Sequence, residues 1–365
     1  MKILLLVAGG RGGSDFFQGL LDGHSQILQL PGYLRIDKDF QEMINLDDPD
    51  QISKRFISIY PEYFNSKLNI IERHHRLGKK KNKFYKINKK NFIKNFSKLM
   101  NKKKFLTKIE ILKNLHIAYS LTKGEKKCEK KILFLHTHLL GYTKEFVKTI
   151  KAKNIEIIHT IRHPLASINS PIKNWLTFEN GKHFFPKDLH FQLDLVFNGI
   201  FDLMKLKKVY IIQYEKLHWE NERVMKDFCK IFRLKYEKCL KSSTYFGLQW
   251  WGDKISQRWV SGVNKNFRIS IDKTLFFNRD LKFFQFLAER IIKHYKYEFM
   301  FSNKKTYFNF LPMKCELLVW KNSFKHLRWK QIFSIPAFYL IRILLINKLT
   351  MQNKKFPYSI GSKKV

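Results

Sequence analysis

Four cysteines in 365 residues, at positions 128, 229, 239 and 315, are too few and too scattered for a disulfide framework. No C-x-x-C pair offers a zinc site, and a reducing compartment follows as the expected setting. Acidic residues are scarce too: 30 Asp and Glu stand against 70 Lys and Arg, a formal charge of +40. Arginine supplies only 14 of the 70, which argues against a specific reader of nucleic-acid bases, since such proteins lean on its planar fork. The Lys-, Asn-, Ile- and Phe-heavy balance has the look of an AT-rich genome, and the charge still favours anionic ligands and anionic lipid surfaces. Long apolar runs are missing. The stretch Trp329–Leu349 is broken by Pro336 and Arg342, and its longest uncharged piece, Gln331–Ile341, falls far short of the ~20 residues a bilayer span needs. The N-terminal run is too short for a secretory leader, so a cytoplasmic protein is expected. Hydrophobic residues at 44% and aromatics at 15% make the chain globular, with length for one large domain and an appendage. No internal repeat is visible.

The informative stretch is Lys2–Phe17, KILLLVAGGRGGSDFF. Ile3–Val7 is a short continuous apolar run, as expected of a strand buried on both faces of a parallel sheet. Ala8, Gly9, Gly10, Arg11, Gly12 and Gly13 form an irregular turn, and Phe16, Phe17, Leu20 and Leu21 then recur at helical spacing. Strand, glycine turn and helix together aim free backbone N–H groups at one spot, where a phosphate or sulfate can sit. Arg11 adds a fixed charge and Ser14 a hydroxyl. The plainer alternative is a tight turn without a ligand. Two familiar fingerprints are excluded. The Walker pattern needs Lys after the last Gly, where Ser14 stands, and the dinucleotide pattern needs Gly where Asp15 stands.

Further apolar strands are expected at Ile27–Leu30, Ile132–Leu135, Ile155–Ile161 and Val209–Gln213, with helical patterns between them. The polar, acidic stretch Asp37–Asp50 reads as a lid or loop. Residues 51–127 read as a helical, Lys-rich insertion, and the run Lys79–Lys90 as a solvated face or a patch for an acidic partner. Strands alternating with helices indicate an α/β domain with a central, mainly parallel sheet flanked by helices. In such sheets ligands bind beyond the carboxyl ends of the strands. The glycine turn, His138, Arg162 and Tyr214 each follow a strand and should converge there.

A second anion signal lies at Arg162-His163-Pro164, where Pro164 is placed to start a helix. Ser170, eight residues after Arg162, lies about two turns into that helix and can face the same side. An Arg and a hydroxyl held this way suit a phosphate monoester.

Taken together the motifs resemble those of sulfotransferases that use 3′-phosphoadenosine 5′-phosphosulfate. The 5′-phosphosulfate loop of that family typically reads R-S-G-T-T; here Arg11-Gly12-Gly13-Ser14-Asp15 stands in its place. Leu21-Asp22-Gly23-His24 is similar to the family's L-x-x-H-P, with Ser25 in place of Pro. Arg162, Pro164 and Ser170 match the 3′-phosphate motif, and Tyr214-Glu215-Lys216-Leu217 looks like Y-E-D-L. The resemblance covers residues 1–300 and implies a P-loop-like sulfotransferase fold, with 301–365 left as a helical C-terminal extension. It implies donor contacts from Arg11, Gly12, Gly13, Ser14, Asp15, Phe16, Arg162 and Ser170, and no metal. Asp15 departs from the pattern, and its carboxylate is expected to turn away, for example to cap the helix. The family's late R-K-G segment is not found; Arg258–Gly262 is a loose candidate. His136-Thr137-His138-Leu139-Leu140 is similar to K-T-H-L-P, which makes His138 the implied base beside Arg11 in catalysis. Asp37 or Asp39 is the alternative, since members acting on carbohydrates use a carboxylate.

Two other readings stay open at this point: a nucleotide kinase, and a basic nucleic-acid- or membrane-binding protein. The acceptor class and oligomeric state are not legible. For the tail, Trp329, Phe333, Phe338, Tyr339, Leu344 and Leu345 flanked by Lys330, Arg342, Lys348, Lys354 and Lys355 suit peripheral contact with an anionic membrane, with packing on the domain or dimerisation as the alternatives.

Overall fold

The computed structural model describes residues 1–8, 11–101, 107–125, 129–138, 140–151, 154–302, 311–350 and 356–361, with the backbone alone at 345–350. Gly9 and Gly10 of the expected turn, Cys128, Leu139, Lys354 and Lys355 lie outside the described residues, as do the side chains of Leu345 and Lys348.

The chain is α/β. Strands β1 (Lys2–Val7), β2 (Ile27–Leu28), β3 (Ile132–Thr137), β4 (Ile155–Ile161) and β5 (Val209–Gln213) form one sheet in the order β2-β3-β1-β4-β5. Every pairing in it is parallel. The strands are continuous apolar runs because both faces are covered: Leu4, Leu5, Leu6 and Val7 have no exposed surface. Each such side chain contributes about 1.5–3 kcal/mol relative to leaving it in water. The chain runs outward from β1 through β2, returns to β3 beside β1, then crosses to β4 on β1's other side. That crossover makes the carboxyl end of β1 the switch point of the sheet, where its two neighbours lead away in opposite directions.

Two apolar cores hold the molecule together. The larger surrounds the sheet and extends into an aromatic cluster of Phe56, Tyr60, Tyr63, Phe64, Phe92 and Tyr119. The smaller lies among the helices Pro164–Thr177, Pro186–Met204, Asn278–Leu287 and Lys314–Lys325.

Asp37–Asp50 differs from the expected loop. It holds a helix, Lys38–Met43, and the entry to another, Pro49–Ile59. The acidic residues are caps: Asp37 accepts from the Phe40 N–H, and Asp48 from the N–H groups of Asp50 and Gln51, with Pro49 in the first turn. The lysines at 79, 80, 83, 86, 89 and 90 are exposed, so the basic run is solvated.

At the C-terminus a helix runs from Ile335 to Thr350. Arg342 does not flank it as a lipid-facing charge: it is 1% exposed and donates to both carboxylate oxygens of Glu316, at 2.9 and 3.1 Å. That buried pair pins one face of the helix to the domain. Leu340 and Leu344, at 58% and 66% exposure, stay in the open with Trp329 and Phe333. Among the described residues no helix is long and apolar enough to cross a membrane.

Candidate active site

The loop leaving β1 brings Arg11 to the carboxyl edge in a left-handed conformation, φ +58°. Gly13 follows at φ +83° and forms the N-cap of helix α1 (Ser14–Leu20) without a side-chain cap. Glycine is needed there twice over. The φ disfavours any other residue, and a Cβ would sit 2.1 Å from Cδ2 and 2.5 Å from Cε2 of the Tyr214 ring. Gly12, Ser14 and Phe16 are buried in the loop and first turn.

Tyr214, just past β5, links the two anion motifs. One part of its ring covers Gly13, and the Arg162 guanidinium lies 5.5 Å from its centroid. Burial raises its hydroxyl pKa, with both Arg162 and Arg11 opposing the rise. Arg162 is also 5.7 Å from the Phe267 ring, and Phe16, His218 and Phe267 stack in series at 4.6 and 4.7 Å. Beneath it, the fully buried Glu215 accepts from the His163 N–H at 2.8 Å and the Tyr297 hydroxyl at 3.2 Å. The Arg162 Nε lies 4.0 Å from that carboxylate, too far for a hydrogen bond, and is itself buried without a partner among the described residues. Burial raises the Glu215 pKa; the His163 N–H and Arg162 oppose it. Arg162 is thus held by rings and charge, with donor capacity left over for a ligand. Ser170 sits about two turns along the helix from Pro164, accepting from the Asn174 amide at 3.3 Å.

The structure brings His138, Asp15 and Arg11 to the same edge. The Asp15 carboxylate does not cap α1; its Oδ1 is 3.5 Å from His138 Nε2 and 3.9 Å from His136 Nδ1. Burial works against ionisation, but His138, His136 and Arg11 outweigh it and hold the Asp15 carboxyl well below the usual carboxylate range. His138 stacks on Tyr33 with centroids 3.8 Å apart. His136 is driven down to about 3 by burial, with His138 adding to the effect, and is neutral. Of the alternative carboxylates, Asp37 caps a helix by accepting from the Phe40 N–H and Asp39 is paired with Arg55 at 2.6 Å.

Three residues at this edge carry no motif. Asp253 takes the Arg11 Nη2 at 3.1 and 3.2 Å across 242 residues of chain. Glu72 and His74 line a narrow cleft together with Asp15, Gly32, Tyr33 and Tyr245. Glu72 Oε2 and His74 Nε2 are buried with no hydrogen-bond partner among the described residues. Burial, then the charges of Asp15 and Asp253, raise the Glu72 pKa well above the carboxylate range, with Arg11 opposing. Burial drives His74 down to about 3. The only sequence signal for these residues was negative, since nothing apolar or periodic explains E-R-H-H at 72–75.

Arg258–Gly262 does not close on Arg162. Its Arg258 side chain is exposed, and its carbonyl accepts from Arg73. The segment over Arg162 is 264–267, fixed by Asn264 N–H to His218 Nδ1 at 3.1 Å and Trp219 Nε1–H to the Phe267 carbonyl at 2.7 Å. His24 is structural, bonded to the Lys235 carbonyl at 3.0 Å, and Ser25 bonds Glu237 through its N–H and hydroxyl.

No protein-family model and no curated protein sequence matches the chain. Among solved structures, it is similar to the sulfotransferase domain from the Synechococcus PCC 7002 olefin synthase, at 13% identity and a TM-score of 0.37. That match covers 66% of this chain and 75% of the other. It is also similar to the sulfotransferase domain from the curacin biosynthetic pathway, at 15% identity and a TM-score of 0.40, over 88% of this chain and 97% of the other.

Proposed function

We propose that the protein is a sulfotransferase that moves a sulfuryl group from 3′-phosphoadenosine 5′-phosphosulfate to a hydroxyl or amine acceptor. One observation carries the reading: two arginines follow neighbouring strands, β1 and β4, at the switch point, and one ring, Tyr214, packs against both motifs. A donor with phosphates at both ends of an adenosine needs two separate cationic seats on one edge. A kinase of the Walker type would need a lysine in the first loop, and the loop has none.

In this reading Arg11 and the loop amides from Gly12 to Phe16 hold the 5′-phosphosulfate. Arg162 and Ser170 hold the 3′-phosphate. The acceptor occupies the cleft beside Tyr33, Glu72 and His74. Its oxygen or nitrogen attacks sulfur in line, the bond from sulfur to the bridging phosphate oxygen breaks, and adenosine 3′,5′-bisphosphate leaves. His138 takes the acceptor proton, and the neighbouring Asp15 carboxylate stabilises the imidazolium that forms. Arg11 stabilises charge growing on the bridging oxygen, so catalysis is positioning plus electrostatics. Asp253 must release Arg11 for the donor to bind.

The test is incubation with ³⁵S-labelled donor and extracts of the source cell, followed by identification of the labelled product. Label transferred by wild type but not by Arg11→Ala supports the reading. No transfer to any fraction, with ATP-dependent phosphorylation instead, refutes it.

A further inference from the structure

We infer that Asp15, His136 and His138 form a binding site for a divalent transition-metal cation of the zinc class. The three residues each offer one ligand atom, and those atoms all lie within 4.8 Å of one another. They sit beside rigid supports: His136 is in β3, His138 is the first residue after it, and Asp15 is in the first turn of α1.

The second observation is the state of the imidazoles. The Gln18 amide nitrogen donates to the carbonyls of Leu30 at 2.8 Å and Gly32 at 3.3 Å, which fixes its oxygen toward His136. That oxygen is 2.8 Å from His136 Nδ1, so Nδ1 carries the proton and Nε2 carries the lone pair. His136 is 1% exposed, and its Nε2 has no hydrogen-bond partner among the described residues. His138 Nε2, 3.5 Å from the carboxylate, is likewise buried and unpartnered among them. The His136 ring is tied through Nδ1 to a fixed acceptor and its Nε2 is left bare, an arrangement by which proteins orient a metal-ligating histidine.

Two imidazoles and one carboxylate select against magnesium and calcium, which take oxygen ligands, and suit zinc or its neighbours. Three protein ligands leave a further position for water or substrate, as in open zinc sites. This inference runs against the absence of metal that the family resemblance implies. The cation and the transfer reaction compete, because a metal on His138 Nε2 occupies the lone pair that takes the acceptor proton. Zinc is therefore an inhibitor of the proposed transfer.

The test uses the full chain, stripped with a chelator and titrated with Zn²⁺ against a chromophoric indicator, then with Co²⁺ followed by visible absorption. The wild type takes one equivalent and shows the strong d–d bands of a low-coordinate cobalt site. Asp15→Asn and His138→Gln, both at partly exposed side chains, lower affinity at least ~100-fold, the upper end of what even outer-shell changes cost. Gln18→Met lowers it about 10–100-fold. Far-UV circular dichroism checks that each variant is folded. No stoichiometric uptake by the wild type, or uptake unchanged in both ligand variants, overturns the site. Uptake is read without donor or acceptor, so its failure leaves the transfer reading standing.

Discussion

Replacing Gly13 with Ala tests whether the first loop and the second anion motif form one unit. An L-residue at φ +83° costs about 1–2 kcal/mol. The new Cβ, 2.1 Å from Tyr214 Cδ2, adds an overpacking cost of about 1–3 kcal/mol, because the ring is wedged against Phe16 and Phe267 and must shift as a body. Together these predict a loss of about 2–5 kcal/mol. Gly124 supplies the control. It has φ +80° at the end of the helix Lys108–Lys123, where an added Cβ would meet no atom of the described residues within 4 Å, so Gly124→Ala is expected to carry the backbone cost of about 1–2 kcal/mol. Stiffening of the unfolded chain is common to both and cancels. Urea unfolding with a shared slope gives the difference. Because Tyr214 lies beside Arg162, Gly13→Ala also weakens binding of adenosine 3′,5′-bisphosphate, and Gly124→Ala leaves it unchanged. Equal destabilisation by the two variants, with nucleotide binding intact in both, refutes the coupling.

Other outcomes follow from the same geometry. Arg11→Ala lowers turnover at least ~100-fold, the scale of losing one charge-stabilising donor, and an unchanged turnover would reduce the loop to a turn. Asp253→Asn removes the carboxylate that competes for Arg11 and tightens donor binding about 2–5-fold, the worth of a partly exposed ion pair; weaker binding would mean the pair positions Arg11 instead. The exposed Trp329, Phe333, Leu340 and Leu344 give the tail an apolar face, and flotation with anionic liposomes at low salt is expected to need residues 329–365. Protein that stays in the soluble fraction at low salt counts against lipid contact.

The sheet was legible because its strands are buried on both faces, which writes them as unbroken apolar runs such as Ile3–Val7 and Ile155–Ile161. The edge residues His138, Arg162 and Tyr214 were legible because each follows a strand, and Arg11 because it sits in the glycine turn that follows β1. The helices around Asp37–Asp50 were lost to their polarity, although Asp37, Asp48 and Pro49 are cap and first-turn residues that could have announced them. Asp15 was misjudged from charge alone, since its partners His136 and His138 arrive from a strand more than a hundred residues away. Asp253, Glu72 and His74 were beyond reach for the same reason. Their role comes from long-range packing, and none directly follows one of the apolar runs of the main sheet.

The central claim is that Arg162 and Arg11 seat the two phosphate ends of one nucleotide. Calorimetric titration of adenosine 3′,5′-bisphosphate and of AMP into wild type and Arg162→Ala tests it most directly. The wild type binds the bisphosphate more tightly than AMP, and Arg162→Ala erases most of that preference while AMP binding stays nearly unchanged. Equal affinity of the wild type for the two nucleotides would contradict the claim.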